Sequence, residues 1–315
     1  MTVGLDLGAT EFRSLRRQSQ DLISRCCPAM YTVVPDSAPH RRLLTQSQTP
    51  FITTPQHLVV VGEMVAEWAK VFQTPPRPLL PHGELPKEDP LSRQLLSILL
   101  DSVLPPAKEP GEVCGLIAPG GHQVQGHRGT RTGEFFAHLV SLKGYQPVLL
   151  SAAQAVSLAE LSNEGFCGLA VSLGATTSDF VMVHSSEVIG QALIPRGWDD
   201  FFDKRESELF EEGTGSNPSP KQMETVQAFL KELFLEARLL LEKRRSFSLF
   251  TRPLTLVMEG RMTSPALEPL LKEVFHMTEW PMTLKRIRWT KGGSFSVARG
   301  GLIEAELTQQ QSVAA

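Results

Sequence analysis

Cysteine is scarce in this chain: there are four in 315 residues, two adjacent (Cys26, Cys27) and two isolated (Cys114, Cys167), with no CxxC pair. That argues against a disulfide scaffold and against a thiolate zinc site. No apolar run approaches the roughly 18 residues that a membrane span needs. The N-terminus, MTVGLDLGATEFR, has no basic segment followed by a greasy stretch and a small-residue cleavage site. The expectation is therefore a soluble, cytoplasmic protein with no membrane partner. An excess of one charge is lacking too: Lys plus Arg number 31, Asp plus Glu 34, and the net charge is −3, so no global field attracts nucleic acid. There is no serine-hydrolase elbow, no HExxH pair and no GxGxxG fingerprint.

What the chain has is length for two domains or lobes, an ordinary 41% hydrophobic content, and 23 Pro and 24 Gly that divide it into many short elements. Thr2 to Leu7 reads as a short apolar strand ending at Gly8, and Leu58 to Gly62 as a buried one; Leu15 to Arg25 is too polar for a core strand. Glu63 to Phe72 spaces its apolar residues for one helix face, and the prolines from 75 to 90 make a linker or surface excursion. Strands at Val113 to Ala118 and Pro147 to Leu150 alternate with helices at Leu91 to Leu104, Gly133 to Lys143 and Ala152 to Leu161. Gly168 to Leu173 and Asp179 to His184 flank a small-residue turn. Lys221 to Arg245 predicts one long helix, Phe247 to Phe250 and Leu254 to Met258 strands, Ala266 to His276 a helix, Leu284 to Trp289 a strand, and Val297 to Leu307 a final helix with frayed residues after it. This alternation predicts an α/β fold with mixed sheets covered by helices.

Three small-residue turns could carry chemistry. In Gly4-Leu5-Asp6-Leu7-Gly8-Ala9-Thr10 a strand delivers a carboxylate to its end, and the small residues after it let backbone N–H groups approach a phosphate. Ser172 to Asp179 (SLGATTSD) repeats the arrangement, and Leu254 to Arg261 (LTLVMEGR) runs a strand into a glycine before a helix. Taken alone, the first and third are more often an ordinary turn or crossover, and the second is as readily a polar hairpin tip. His122 and His127 near Arg128 and Arg131 lack a carboxylate or Cys to complete a ligand set. Lys285 to Lys291 interleaves cations with Trp289, which suits a half-exposed strand as well as a nucleic-acid platform, and Glu242-Lys243-Arg244-Arg245 suits a helix end.

Taken in order, GLDLGAT, SLGATTSDF and VMEGRMTS followed by ALEPLLKEVF resemble the first phosphate, second phosphate and adenosine motifs of the actin-like ATPase superfamily, in the manner of bacterial filament proteins and heat-shock chaperone ATPase domains. VVVGEMVAEWAK from Val59, IPRGWDDFFD from Ile194, ARLLLEKRRSFSL from Ala237 and the helix from Val297 to Ala305 also resemble segments of those proteins. The resemblance implies two lobes, each on a mixed sheet, around a central nucleotide cleft. It implies residues 1–150 as the first lobe with a small insertion at about 25–80, 151–296 as the second with a helical insertion at about 197–250, and 297–315 as a helix closing the core.

The cofactors so implied are ATP or ADP and Mg²⁺. Asp6 would hold the metal through water and take part in catalysis; Gly8, Ala9 and Thr10 would meet the phosphates from one side and Gly174, Ala175, Thr176 and Thr177 from the other. Gly260 and Arg261 would lie by the adenosine and Arg238 could stack on the base. Gln154 would orient the attacking water, although a chaperone-like register places Ser151 there. Ser172 stands where the family carries an aspartate, and Met258 and Glu259 where it carries glycines. A serine removes one negative charge from a site whose chemistry depends on electrostatics, so slow hydrolysis is expected. The functions implied are a weak ATPase acting through nucleotide-dependent conformation, self-association or a protein partner; a scaffold that has lost nucleotide; or a small-molecule kinase, for which no second catalytic base is evident.

Overall fold

Val3–Leu7 (β1) is fully buried, as befits a strand covered on both faces, and it carries one polar side chain, Asp6. Glu11–Gln18 (β2) and Asp21–Pro28 (β3) follow as an antiparallel hairpin. Leu15 to Arg25, too polar for a core strand, falls in this hairpin, with Leu15 to Gln18 in β2 and Asp21 to Arg25 in β3. The hairpin lies at a sheet edge, where Phe12 and Leu15 are buried and Leu22 faces solvent, so half its positions tolerate charge. Met30–Pro35 (β4), Ala38–Gln46 (α1), Phe51–Thr53 (β5), His57–Val61 (β6), Val65–Val71 (α2) and Arg77–Pro78 (β7) make a small unit. Its strand order is β5-β6-β4-β7, around Val34, Leu44, Leu58 and Trp68.

Pro90–Val103 (α3) starts where the Asp89 side chain accepts the Leu91 N–H at 3.0 Å and proline occupies the first turn, which needs no donor there. Glu112–Ile117 (β8), Arg131–Leu142 (α4) and Tyr145–Leu150 (β9) complete a five-stranded sheet ordered β3-β2-β1-β8-β9. In it β2 and β3 run antiparallel, while β8 and β9 are parallel to β1.

The second half uses the same plan. Ala152–Glu160 (α5) leads to Gly168–Leu173 (β10), Ser178–His184 (β11) and Glu187–Ile194 (β12). Pro220–Glu242 (α6), Leu254–Gly260 (β13), Leu267–Met277 (α7), Leu284–Trp289 (β14) and Ser296–Ala314 (α8) follow. Helix α6 opens on a capping box in which Ser219 and Gln222 bond reciprocally. The sheet order is β12-β11-β10-β13-β14, again two antiparallel neighbours on one side of the central strand and two parallel ones on the other. Phe247 to Phe250 is not the expected strand, since Ser246–Leu249 is a single 3-10 turn. The last helix continues to Ala314 where fraying was expected.

Each sheet has its own apolar core: Leu5, Phe12, Leu99 and Phe136 in the first, Phe180, Trp198, Phe229 and Phe234 in the second. Between them α8 lies on β1 and β8, and α5 lies on β10, β11 and β13. The two helices meet with almost nothing between them, since a Cβ on Gly300 would lie 1.9 Å from the Ala155 carbonyl oxygen; α8 lies as close on β1, where a Cβ on Gly4 would lie 1.9 Å from the Ala298 carbonyl oxygen. This computed structural model describes residues 2–18, 20–87, 89–119, 131–202, 219–243, 246–260, 267–291 and 293–314. Arg261, Met262 to Pro265, His122, His127, Arg128, Arg244 and Arg245 lie outside the described residues.

Candidate functional site

The C-terminal ends of β1, β8, β10 and β13 open into one cleft of about 800 Å³ between the two sheets. That size suits a cofactor-sized ligand. Asp6, Gly8, Ala9 and Thr10 line it from the first lobe, and Gly174, Ala175, Thr176, Thr177 and Gly260 from the second. Turns more than 160 residues apart in sequence thus face one another across a single space. The second turn is tied down locally: Gly174 donates its N–H to the Thr177 carbonyl at 2.9 Å, and the N–H groups of Trp198 and Asp199 donate to the carbonyls of Gly174 and Ala175 at 3.1 and 2.9 Å. Gly197 allows that approach, because any Cβ there would lie 2.3 Å from the Ala175 oxygen. Gly260 has φ +139°, a conformation open to glycine, and passes within 2.5 Å, measured from a Cβ position, of the Leu173 carbonyl.

The ionised groups of the cleft were only partly foreseen. Asp6 is 7% exposed, and Arg13, its register partner on β2, approaches it with Nη1 3.3 Å from Oδ2 while also pairing with Glu11. Burial pushes the Asp6 carboxyl up to about 6 despite that guanidinium. Across the cleft, Ser172 and Glu259 are register partners of parallel strands, and the Ser172 hydroxyl donates to Glu259 Oε2 at 2.6 Å. Burial, with the Asp6 charge adding to it, raises the Glu259 carboxyl to about 7, against the hydrogen bond from Ser172. Glu259, standing where the family carries a glycine, turns its carboxylate along the strand ends to residue 172.

Asp179, two-sided in its bonding, accepts the Ala153 N–H at 2.9 Å and the Gln191 amide at 3.2 Å. It therefore sits at the positive end of α5, where a helix favours an anion. A lone carboxylate inside the buried run SDFVMVH was the available signal for it; Arg13 and Glu11 could have been found by the hairpin register that puts residue 13 opposite residue 6.

Gln154 lies in the first turn of α5, two residues after the cleft-lining Ala152, but is not itself among the lining residues; its N–H donates to the Ser151 hydroxyl at 3.1 Å. Ser151 is thereby the cap of α5. Arg238 is not brought to the cleft. It sits on α6, and its Nη1 donates to the Glu279 carbonyl at 3.0 Å, beyond the end of α7, so the base-stacking role expected of it has no support in its position. The cations of β14 are paired in place: Arg288 with buried Glu160, and Lys285 and Arg286 both with Glu164. Among the described residues no cluster of three or more His, Cys, Asp or Glu forms a metal site, and no helix is long and apolar enough to cross a membrane.

Two lobes that each carry this five-stranded order, joined by crossed helices over one cleft, constitute the actin-like ATPase fold. The same fold is found in the MamK double helical filament, with TM-score 0.62, 13% identity, and 97% of this chain and 98% of that one covered. It is found too in MreB 5 of Spiroplasma citri bound to AMPPNP, with TM-score 0.65, 10% identity, and 99% and 98% coverage. The chain belongs to the Volactin family, whose profile matches residues 1–230. No curated protein matches the sequence.

Proposed function

We propose that the chain binds Mg-ATP or Mg-ADP in this cleft and uses the nucleotide to set the angle between its lobes, with slow hydrolysis and with self-association or a protein partner as the readout. The observation that carries the reading is the pairing of two small-residue turns, Gly8 to Thr10 and Gly174 to Thr177, across one space of cofactor size. Small side chains let backbone N–H groups reach phosphate oxygens, and Thr10, Thr176 and Thr177 add hydroxyl donors. The lining fits a divalent cation as well: four acids, Asp6, Glu11, Asp179 and Glu259, line the cleft, and of these Asp6 and Glu259 lie close enough for the Asp6 charge to raise the Glu259 carboxyl. A magnesium ion supplies charge neutralisation to the phosphates when bound.

In this reading Asp6, at the end of β1, would hold the metal through water. Gln154 is assigned to the attacking water, a role that requires a change of lobe angle to carry its side chain into the cleft, which it does not line as it stands. Gly260 leaves room beside the nucleoside. The structural likeness to a filament and to a protein bound to an ATP analogue supports assembly and nucleotide as the two matters to test. Titration calorimetry with ATP and ADP in Mg²⁺ is the decisive measurement. Saturable binding below millimolar concentration is expected, and light scattering should change on adding nucleotide. Absence of binding by either nucleotide favours the scaffold reading, for which the existing Asp6–Arg13 pair, a built-in counter-cation for the buried carboxylate, is the supporting observation.

A further inference from the structure

Because the chain folds one plan twice, each lobe is a control for the other. Strand β1 ends in Asp6-Leu7-Gly8-Ala9-Thr10 and β10 in Ser172-Leu173-Gly174-Ala175-Thr176, identical but for the first residue. On the parallel neighbour of each central strand, the register partner of Asp6 is Ile117 and that of Ser172 is Glu259. The first lobe therefore puts a carboxylate on the central strand and an apolar residue beside it. The second puts a hydroxyl on the central strand and the carboxylate beside it, fixed by the 2.6 Å bond from Ser172. Both acids line the same cleft.

We infer that Glu259 supplies the carboxylate that Ser172 lacks, so that a divalent cation accompanying bound nucleotide is held between Asp6 of the first lobe and Glu259 of the second. The inference rests on the nucleotide reading given above. It makes Ser172 and Glu259 a matched pair: the serine donates to the glutamate and fixes it, whereas an aspartate at 172 would set two like charges in register on adjacent strands, an unfavourable arrangement. It also assigns Ser172 a positioning role, because the hydroxyl acts through Glu259. Replacing Ser172 by Asp alone should then impair the site and not repair it, contrary to what loss of an aspartate at that position would imply.

The test is a Mn²⁺ titration of the full chain with a non-hydrolysable ATP analogue, read by loss of the free-ion paramagnetic resonance signal, beside analogue binding measured in EDTA. Glu259→Gln, isosteric and still able to accept from Ser172, should weaken Mn²⁺ by about tenfold or more without weakening metal-free analogue binding, from which it removes a like charge. Glu259→Asp, which keeps the charge but withdraws it by one methylene, should fall between. Equal Mn²⁺ affinity in wild type, Glu259→Gln and Glu259→Asp overturns the inference, as does a wild type that binds the analogue equally well with and without metal. A wild type that binds no analogue under either condition overturns the nucleotide reading along with it.

Discussion

The two lobes share a topology and differ in how they place charge. In the first, Asp6 and Arg13 are register partners on β1 and β2, an acid facing a base. In the second, the corresponding partners on β10 and β11 are Ser172 and Asp179, a hydroxyl beside an acid, and Asp179 takes its compensation from the first turn of α5. The second lobe then adds Glu259 on β13. A side-chain cation in one lobe and a helix end in the other do the same electrostatic work. The lesson is that a doubled architecture conserves where charge must be balanced and leaves open which group balances it.

The largest effect should come from removing what both lobes share. Gly300→Ala at the crossing of α5 and α8 forces a methyl into the Ala155 carbonyl and should cost about 3 kcal/mol or more, seen as a large fall in melting temperature. Next, Asp179→Asn weakens the acceptor for Ala153 and Gln191 and should lose about 1–3 kcal/mol in denaturant unfolding. If Asp179 and Arg13 are the two lobes' separate solutions, Arg13→Gln should leave the α5 end intact, so that amide exchange at Ala153 rises in the first variant and not in the second.

A third test uses pH. Glu259 titrates at about 7 and Asp6 at about 6, above their ordinary values of 4.5 and 3.8, so the folded chain holds protons that the unfolded chain has released. Stability of the ligand-free protein should therefore be greatest below about pH 4 on this account, and decline up to about pH 7. Glu259→Gln removes its part of that decline: the variant should exceed wild type by about 3 kcal/mol at pH 8 and match it at pH 4, with a pH-independent difference counting against the assignment. The smallest effect is expected at the exposed edge of β14, where Lys285→Ala, breaking an exposed pair with Glu164, should change stability by about 0.5 kcal/mol or less.

Much of the framework could be read from the residues. Continuous apolar runs such as Leu58 to Val61 and Val113 to Ile117 announce buried strands, and the order of the turns at Gly8, Gly174 and Gly260 announced the cleft they line. The β2–β3 hairpin was missed because an edge with one solvated face has few apolar residues to show. The Ser172–Glu259 bond was not legible for another reason: the partners are 87 residues apart, and only the parallel register of β10 and β13 makes them neighbours. Sequence alone counted a lost charge at 172 and a bulky side chain at 259, two defects that in space are one contact. Arg238 failed in the opposite way, since the buried stripe of α6 runs through Val226, Leu233 and Ala237 and the next residue points to the loop after α7 instead of the cleft.

The crossing of α5 and α8 has a mechanical consequence. At Gly300 and Ala155 backbone meets backbone, with no compressible side chain to act as a cushion. Such a contact behaves as a rivet: it resists sliding and shear but leaves rotation about itself, so any change in lobe angle becomes a displacement that grows with distance from the pivot. A rotation about it would therefore be read out as travel that is small at the cleft and larger toward the periphery of each lobe.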